Sequence, residues 1–136
     1  MSYGTAQALQ MAVYGALVAD PTLSALVGTA IYDELPPGPV EGTYVSLGAE
    51  DVRDLSAGDG GLAAHSFGVS VVSASEGFSE AKAVAAAVSD ALIDAVPALS
   101  RGRIVSLRFV RARAKRVRAG QVRRIDMTFR AIVEDD

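Results

Sequence analysis

The residues best suited to acid–base or metal chemistry are few in this chain, and they show no catalytic spacing. The only histidine is His65 and cysteine is absent, so the chain lacks the ligands of a typical zinc site. No Gly-x-Ser-x-Gly segment indicates the serine nucleophile of a hydrolase. A single histidine in a strand-like segment without a motif is usually structural. The sequence therefore predicts no enzymatic activity and no cofactor, and an enzyme would need a pocket around His65.

An acidic, glycine-rich segment covers residues 50–61. Its carboxylates Asp51, Asp54 and Asp59 could bind calcium, but they lack the spacing and the closing glutamate of an EF-hand loop. The Gly58-Asp59-Gly60-Gly61 run has no following Lys-Ser/Thr pair, which excludes a P-loop. The segment is therefore predicted to be a solvated, mobile loop without a bound metal.

Basic residues are concentrated near the C-terminus, and this distribution is the strongest functional signal in the chain. Residues 101–133 carry a formal charge of +10, whereas residues 1–100 carry −10 and residues 134–136 carry −3. The net charge of −3 therefore conceals a dipolar molecule, a pattern that concerns partners more than the fold. The basic residues of the segment are Arg101, Arg103, Arg108, Arg111, Arg113, Lys115, Arg116, Arg118, Arg123, Arg124 and Arg130.

Three interpretations of this basic segment remain open. Its side chains could contact an acidic surface of a partner or of an identical copy, lie close to nucleic-acid phosphates, or be solvated. Phe109 and Phe129 are expected on the apolar face, in the core, so stacking on bases is not predicted. Alternate basic residues also keep an edge strand from aggregating. Head-to-tail docking of such an edge on the next copy closes into a ring when the rotation permits.

Bulk composition is that of a soluble globular protein, since half of the residues are hydrophobic and 21% are charged. At 136 residues, the chain is expected to form a single domain over residues 1–136. The N-terminus does not resemble a signal peptide. No window approaches the roughly 18 uninterrupted apolar residues of a membrane span, so no membrane contact is expected.

Hydrophobic periodicity predicts three helices, over residues 4–19, 21–27 and 79–95. Asp20 is expected to be the N-cap of the second helix, followed by proline at its first position, and Gly28 is expected to end it. Together with the strands, these helices give the order ααβββαββ. That order predicts an α+β fold in which a mostly antiparallel sheet of four to five strands carries the helices on one face.

The strands are predicted over residues 30–35, 43–49, 62–73, 103–118 and 124–133. Within the fourth strand the apolar alternation changes phase at Val110, which indicates a bulge or a bend. Ala119-Gly120 is predicted to be the turn between the last two strands. These two strands contain the basic residues and form a basic C-terminal hairpin.

Several segments, taken in order, resemble the tail terminator, or tail-completion, proteins of long-tailed phages and gene transfer agents. The similarity covers residues 5–133. Its segments are Ile31-Tyr32-Asp33, Tyr44-Val45-Ser46-Leu47-Gly48, residues 51–54, Gly58-Asp59-Gly60, residues 65–71, Glu80-Ala81-Lys82, residues 103–109 and Met127-Thr128-Phe129-Arg130-Ala131. One departure is the basic turn Arg116-Val117-Arg118-Ala119-Gly120, where family members often have an Asp- and Gly-rich turn.

The resemblance implies a structural protein of the virion or gene transfer agent particle, assembled in the bacterial cytoplasm. Such proteins form a hexameric ring at the head-proximal end of the tail tube, stop tube polymerisation and join the tail to the head–tail connector. DNA passes through the lumen without sequence-specific binding. Alternatives are a nucleic-acid-binding module that uses the basic hairpin, residues 101–130, and another head–tail completion component such as a stopper.

The charge pattern suggests which residues would make these contacts. The subunit or lumen interface is expected at Arg111, Arg113, Lys115, Arg116 and Arg118. A loop that docks on the tube or the connector is expected at Asp51, Arg53, Asp54 and Asp59.

Overall fold

The computed structural model describes residues 3–37, 40–55, 61–75 and 77–136. Within these ranges, three helices and five strands follow one another in the order ααβββαββ. They are α1 (Ala6–Ala19), α2 (Pro21–Val27), β1 (Ile31–Tyr32), β2 (Tyr44–Asp54), β3 (Leu62–Ser73), α3 (Ser79–Ile93), β4 (Arg103–Val117) and β5 (Val122–Glu134). The predicted α+β class with a mostly antiparallel sheet is confirmed. No helix in the described ranges has the length and apolarity to cross a membrane.

The sheet has the strand order β1-β2-β3-β5-β4. β1 pairs with β2 in parallel, and the other three pairings are antiparallel. β1 is short and pairs only with Val45 and Ser46 of β2. Within the described residues, the sheet therefore ends in β4 on one side and, beyond Ser46, in β2 on the other.

One face of the sheet packs against the helices. Burial along β5 alternates strictly, and Ile125, Met127 and Phe129 point into the core beside apolar side chains of all three helices. We call this the covered face. The opposite face, which bears Ser66, Thr128 and the other alternate residues, is partly solvated and is called the open face.

The corner between α1 and α2 forms as predicted. The Asp20 carboxylate accepts a hydrogen bond from the Leu23 N–H at 2.9 Å, which satisfies one of the free donors at the start of α2. Pro21 occupies the first turn, where its missing N–H is harmless. Gly28 ends the helix at a φ of +61°, a conformation that favours glycine.

The predicted docking loop is wrong for three of its four residues. β2 continues to Asp54, so Asp51, Arg53 and Asp54 belong to a strand that pairs with β3, rather than to a loop. Pairing with β3 satisfies the hydrogen-bonding groups of the main chain whatever the polarity of the side chains. The polar composition of this segment therefore did not reveal the strand. A register shift between Leu47 and Glu50 interrupts the strand where the expected apolar alternation ends. Asp59, the fourth residue, lies outside the described residues.

The predicted core position of Phe109 is also wrong, because its side chain is 46% exposed. Leu107 is the only buried residue of β4, and Val105 and Val110 are exposed as well. β4 is the outermost strand, so its side chains have neighbours on one flank only. The predicted phase change is confirmed by a register shift between Phe109 and Arg111.

Candidate assembly surface

Three of the five predicted interface residues lie in a row on the open face. Arg111, Arg113 and Lys115 are exposed on β4, opposite Thr128, Asp126 and Arg124 of β5. Their spacing of two residues places them on the same side of the strand, about 7 Å apart. The alternation of the sequence therefore produces a continuous row of cations along one border of the sheet, and we call this row the basic edge.

The other two predicted interface residues lie elsewhere. Arg116 pairs with Arg123 on the covered face, and its guanidinium carbon lies 5.5 Å from the centre of the Phe78 ring. Lys82 and Arg123 approach the same ring at 5.9 and 6.0 Å. Cations over an aromatic face are attracted by the ring quadrupole, so Phe78 anchors the end of the hairpin to the start of α3.

Arg118 lies in the connection between β4 and β5, and its side chain is exposed. Arg118, Ala119 and Gly120 have φ values of +55°, +56° and +84°. Such values are unfavourable for residues with a Cβ. The connection between β4 and β5 thus carries one exposed arginine. Ala119-Gly120 predicted the position of this turn, but not the positive φ of Arg118.

Asp126 fixes the middle of the open face. Its carboxylate accepts hydrogen bonds from Ser70 Oγ at 2.7 Å and Arg124 Nε at 2.8 Å, and Lys115 Nζ lies 3.4 Å away. Burial acts to raise the pKa of Asp126, but the hydrogen bonds from Ser70, Arg124 and Lys115 outweigh burial and lower it. Part of the positive charge of the hairpin is therefore neutralised within the subunit.

Two further arginines are paired at the C-terminus. Arg101 makes a bidentate contact with Asp135, with N–O distances of 2.9 and 2.8 Å. Arg103 Nε lies 2.8 Å from Glu134 Oε1. In contrast, Arg108, Arg111 and Arg113 have no ion-pair partner among the described residues. Of the residues on the open face of β4, these three are the ones whose charge is available to a partner.

Acidic side chains lie at the opposite border of the sheet. Asp51 is exposed on the open face of β2 and forms an ion pair with Arg53 Nε at 3.5 Å, in which both side chains are largely solvated. Glu50 lies on the covered face and accepts a hydrogen bond from the Tyr3 hydroxyl. Asp33, just after β1, accepts a hydrogen bond from Gln10 at 2.6 Å. We call Asp33, Glu50 and Asp51 the acidic edge.

Exposed apolar side chains accompany both edges, and sequence reasoning missed them. Val105, Phe109 and Val110 are exposed on β4. Near the acidic edge, a groove of about 560 Å³ is lined mainly by Tyr3, Gln7, Gln10, Met11, Tyr14 and Glu50. For Val110 the phase change in the sequence was the available signal, because the extra residue at a bulge is opposite no residue of the neighbouring strand.

His65 belongs to the interior. Its side chain is fully buried on β3, and Nε2 lies 3.3 Å from Thr5 Oγ1. Burial lowers the pKa of His65, while the charge of Glu50 acts in the opposite direction. No group of three or more His, Asp or Glu side chains within the described ranges is arranged to hold a metal ion.

Comparison with known proteins identifies a family and similar solved structures. The family model described as "Tail completion protein gp17" matches residues 11–134. A chain in the structure entitled "Virion of native gene transfer agent (GTA) particle" is 59% identical, with a TM-score of 0.91. That alignment covers 98% of this chain and 99% of the other. A comparison with curated proteins finds no match.

Proposed function

This chain belongs to the tail completion protein gp17 family, and from that membership we propose that it is a structural component of a phage or gene transfer agent virion, located in the tail. The high similarity to a chain of a gene transfer agent virion supports this location. We propose further that copies of the chain, each a single domain, form a ring at the head-proximal end of the tail tube. The ring terminates tube polymerisation and joins the tail to the head–tail connector.

The observation that carries the ring is the separation of opposite charges onto the two borders of one sheet. Arg108, Arg111 and Arg113 lie on one border, without ion-pair partners in the described chain, and Asp51 lies on the other. Two different complementary patches on one subunit favour a head-to-tail contact, and such contacts close into rings when the rotation permits.

The predicted interface residues take separate roles in this proposal. Arg111, Arg113 and Lys115 face the next subunit or the lumen through which DNA passes. Arg118 extends from the hairpin connection, while Arg116 is retained by Phe78 and supports the hairpin from behind. A lumen lined by these cations would contact DNA phosphates without reading sequence, because phosphates carry no sequence information.

The strand end that bears Asp51, Arg53 and Asp54 is the proposed contact with the tube or the connector. These residues lie at the C-terminal end of β2. Exposed charges of both signs suit a contact that must form late in assembly and select one partner, because mismatched charges disfavour the wrong partner.

Tail length in particles tests the proposal. The gene for this chain is deleted in its phage or transfer-agent producer and complemented with the wild-type chain or with a variant in which Arg111, Arg113 and Lys115 are replaced by glutamine. Electron microscopy should show overlong or headless tails after deletion, normal particles with the wild type, and a reduced yield of complete particles with the variant. Normal tails and heads after deletion would contradict the proposal.

A second candidate, a nucleic-acid-binding module, is favoured by Arg108, Arg111 and Arg113 on the open face, which have no ion-pair partner among the described residues. It predicts that the isolated protein binds duplex DNA with an affinity that falls steeply as salt increases. The structural proposal predicts only weak binding under these conditions. Tight binding by a chain that does not assemble on tail tubes would favour the second candidate.

A further inference from the structure

We propose that neighbouring copies of this chain join through their main chains, so that β4 of one copy extends the sheet of the next along the uncovered part of β2. The inference rests on the proposed ring and states how adjacent subunits bind. It narrows the role of Asp51, which would contact the next subunit, and leaves Arg53 and Asp54 to the tube or the connector.

The uncovered part of β2 has main-chain groups directed outwards. The Leu55 N–H donates to the Leu62 carbonyl of β3 at 2.9 Å. Successive N–H groups of an antiparallel strand point alternately to its two sides, and the register is unbroken from Glu50 onwards. The N–H groups of Glu50 and Val52 therefore point away from β3, towards a side where no described strand pairs with them.

β4 presents the matching edge. All fifteen of its residues lie at the border of the sheet, and its only strand partner in the described chain is β5. A long uncovered edge is a template for pairing with another chain. The sheet of one copy thus ends in two different uncovered edges, each with N–H and C=O groups, which is the requirement for a contact that repeats from copy to copy.

Strand direction is consistent with this pairing. β2 and β5 run one way, and β3 and β4 run the other. Rotation about an axis close to the strand direction leaves these directions unchanged. In a ring with such an axis, β4 of one copy is therefore antiparallel to β2 of the next, and the alternation continues without a break. An antiparallel pair also has the more stable of the two hydrogen-bond patterns.

The register brings opposite charges to the same height. Across the sheet, Asp51 is opposite Ser66, Ser66 is opposite Arg130, and Arg130 is opposite Arg108. Asp51 and Arg108 therefore lie on the open face at equal height and at opposite borders. A rotated neighbour places its Arg108 beside Asp51. Strands in a closed sheet are tilted, and this tilt shifts the residue opposite Asp51 by a few positions along β4, where the open face remains basic.

The covered face is complementary in a different way. Glu50 is at the height of Phe109, through Phe67 and Phe129. Glu50 also lines the groove that contains Tyr3 and Met11. The register that joins Asp51 to Arg108 on one face would therefore bring the exposed Phe109 ring to this groove on the other. Burial of an aromatic ring adds apolar stabilisation to a contact otherwise made by charges and hydrogen bonds.

Disulfide cross-linking tests the pairing directly, since the chain has no cysteine. Asp51→Cys is combined, in one chain each, with Ser106→Cys, Arg108→Cys, Arg111→Cys or Arg113→Cys, which are all on the open face of β4. Within one copy the two positions are three strand spacings apart, about 14 Å, which is too far for a disulfide. Oxidation of assembled particles should give a ladder of covalent multimers for at least one combination.

The controls separate edge pairing from chance collision. Each single-cysteine chain should give no species larger than a dimer. Asp51→Cys with Asp90→Cys, where Asp90 is exposed on α3, should give no ladder. If none of the four combinations forms a ladder in particles with normal tails, the edge pairing is refuted while the proposed function stands. If the chain is absent from tails altogether, the proposed function fails first.

Charge reversal provides a second, independent measurement. At the cross-linking pair, Asp51→Arg alone should reduce particle yield about tenfold, as expected for a close interfacial charge pair, and the reciprocal Arg→Asp change should restore it. Asp90→Arg is the matched control and should leave the yield unchanged. A double variant as defective as the single one would overturn the inference.

Discussion

His65 illustrates how a single titratable residue can serve the fold and not a reaction. Its imidazole is enclosed on β3, and its only described side-chain hydrogen-bond contact is with Thr5. Burial lowers its pKa because a charged ring would lose its hydration. The neutral form is therefore the one that packs in the native protein.

The isolated protein should lose stability as the pH falls below about 6.5, the pKa of an unperturbed histidine. Below that value the unfolded chain binds a proton that the folded chain resists, so unfolding becomes more favourable until the lowered pKa of the folded state is reached. Urea unfolding at pH 7.5 and pH 5.5 measures the difference. A His65→Gln variant should show a smaller difference, and an equal one would contradict this assignment.

Ala119 is a position where the native backbone disfavours its own side chain. Its φ of +56° costs roughly 1 kcal/mol for a residue with a Cβ. Ala119→Gly should therefore raise the free energy of unfolding by up to about 1 kcal/mol, less the entropy that glycine adds to the unfolded chain. Ala114→Gly in β4 is the matched control and should lower stability by about 0.5–1 kcal/mol. A loss at both positions would show that the turn carries no strain.

At the scale of elements, β4 and β5 differ in what they contribute to the fold although they form one hairpin. β5 lies between two strands and buries five alternate side chains. β4 is the border strand and buries one. The central strand should therefore govern folding stability, and the border strand should govern contacts with other chains.

Truncation of two phenylalanines tests this division. Phe129→Ala should lower the free energy of unfolding by roughly 3–5 kcal/mol, because a fully buried ring leaves a cavity. Phe109→Ala, on the directly opposite residue of β4, should lower it by less than about 1.5 kcal/mol, since the ring is half exposed. Guanidinium unfolding of the two variants provides the comparison, and similar losses would contradict the proposed difference between the central and the border strand.

The elements that the sequence predicts well are those with a strong local signal. Asp20 and Gly28 bound α2 through their own conformational preferences, and β5 shows a strict period of two. The errors concern tertiary context. Pairing with β3 keeps Asp51 and its neighbours in a strand, and this pairing depends on residues far away in the chain. The alternation of apolar residues predicts that Phe109 lies in the core. Its exposure follows from the position of β4 at the border of the sheet, which depends on topology and not on the periodicity of the sequence.

At the scale of the whole molecule, the sequence predicted one property of the candidate site, which is the concentration of positive charge near the C-terminus. The structure separates the basic residues into an available row and residues neutralised by Asp126, Glu134 and Asp135. That separation depends on which strands are neighbours, so composition alone could not supply it. The acidic edge was equally inaccessible, because Asp33 and Glu50 line one groove only after β1, β2 and α1 have packed together.

Assembly of the isolated protein should depend on salt. Raising ionic strength from about 0.1 to 1 M shortens the screening length from about 10 to 3 Å, which weakens attraction between exposed opposite charges. Light scattering, with and without added tail tubes, should therefore report a lower mass at high salt. A variant with Arg108, Arg111 and Arg113 replaced by glutamine should lose most of this dependence. A mass that is constant across the salt range would indicate that apolar burial dominates the contact.

The exposure of β4 on both faces also bears on how such a protein can evolve. With one buried side chain in fifteen residues, most substitutions along this strand should change the folding free energy very little. Lineages could therefore explore new sequences there while the rest of the fold stays intact. Substitutions in this one strand would then adjust the contact between neighbouring copies of the chain, while the part of β2 proposed to meet the tube or the connector keeps its sequence.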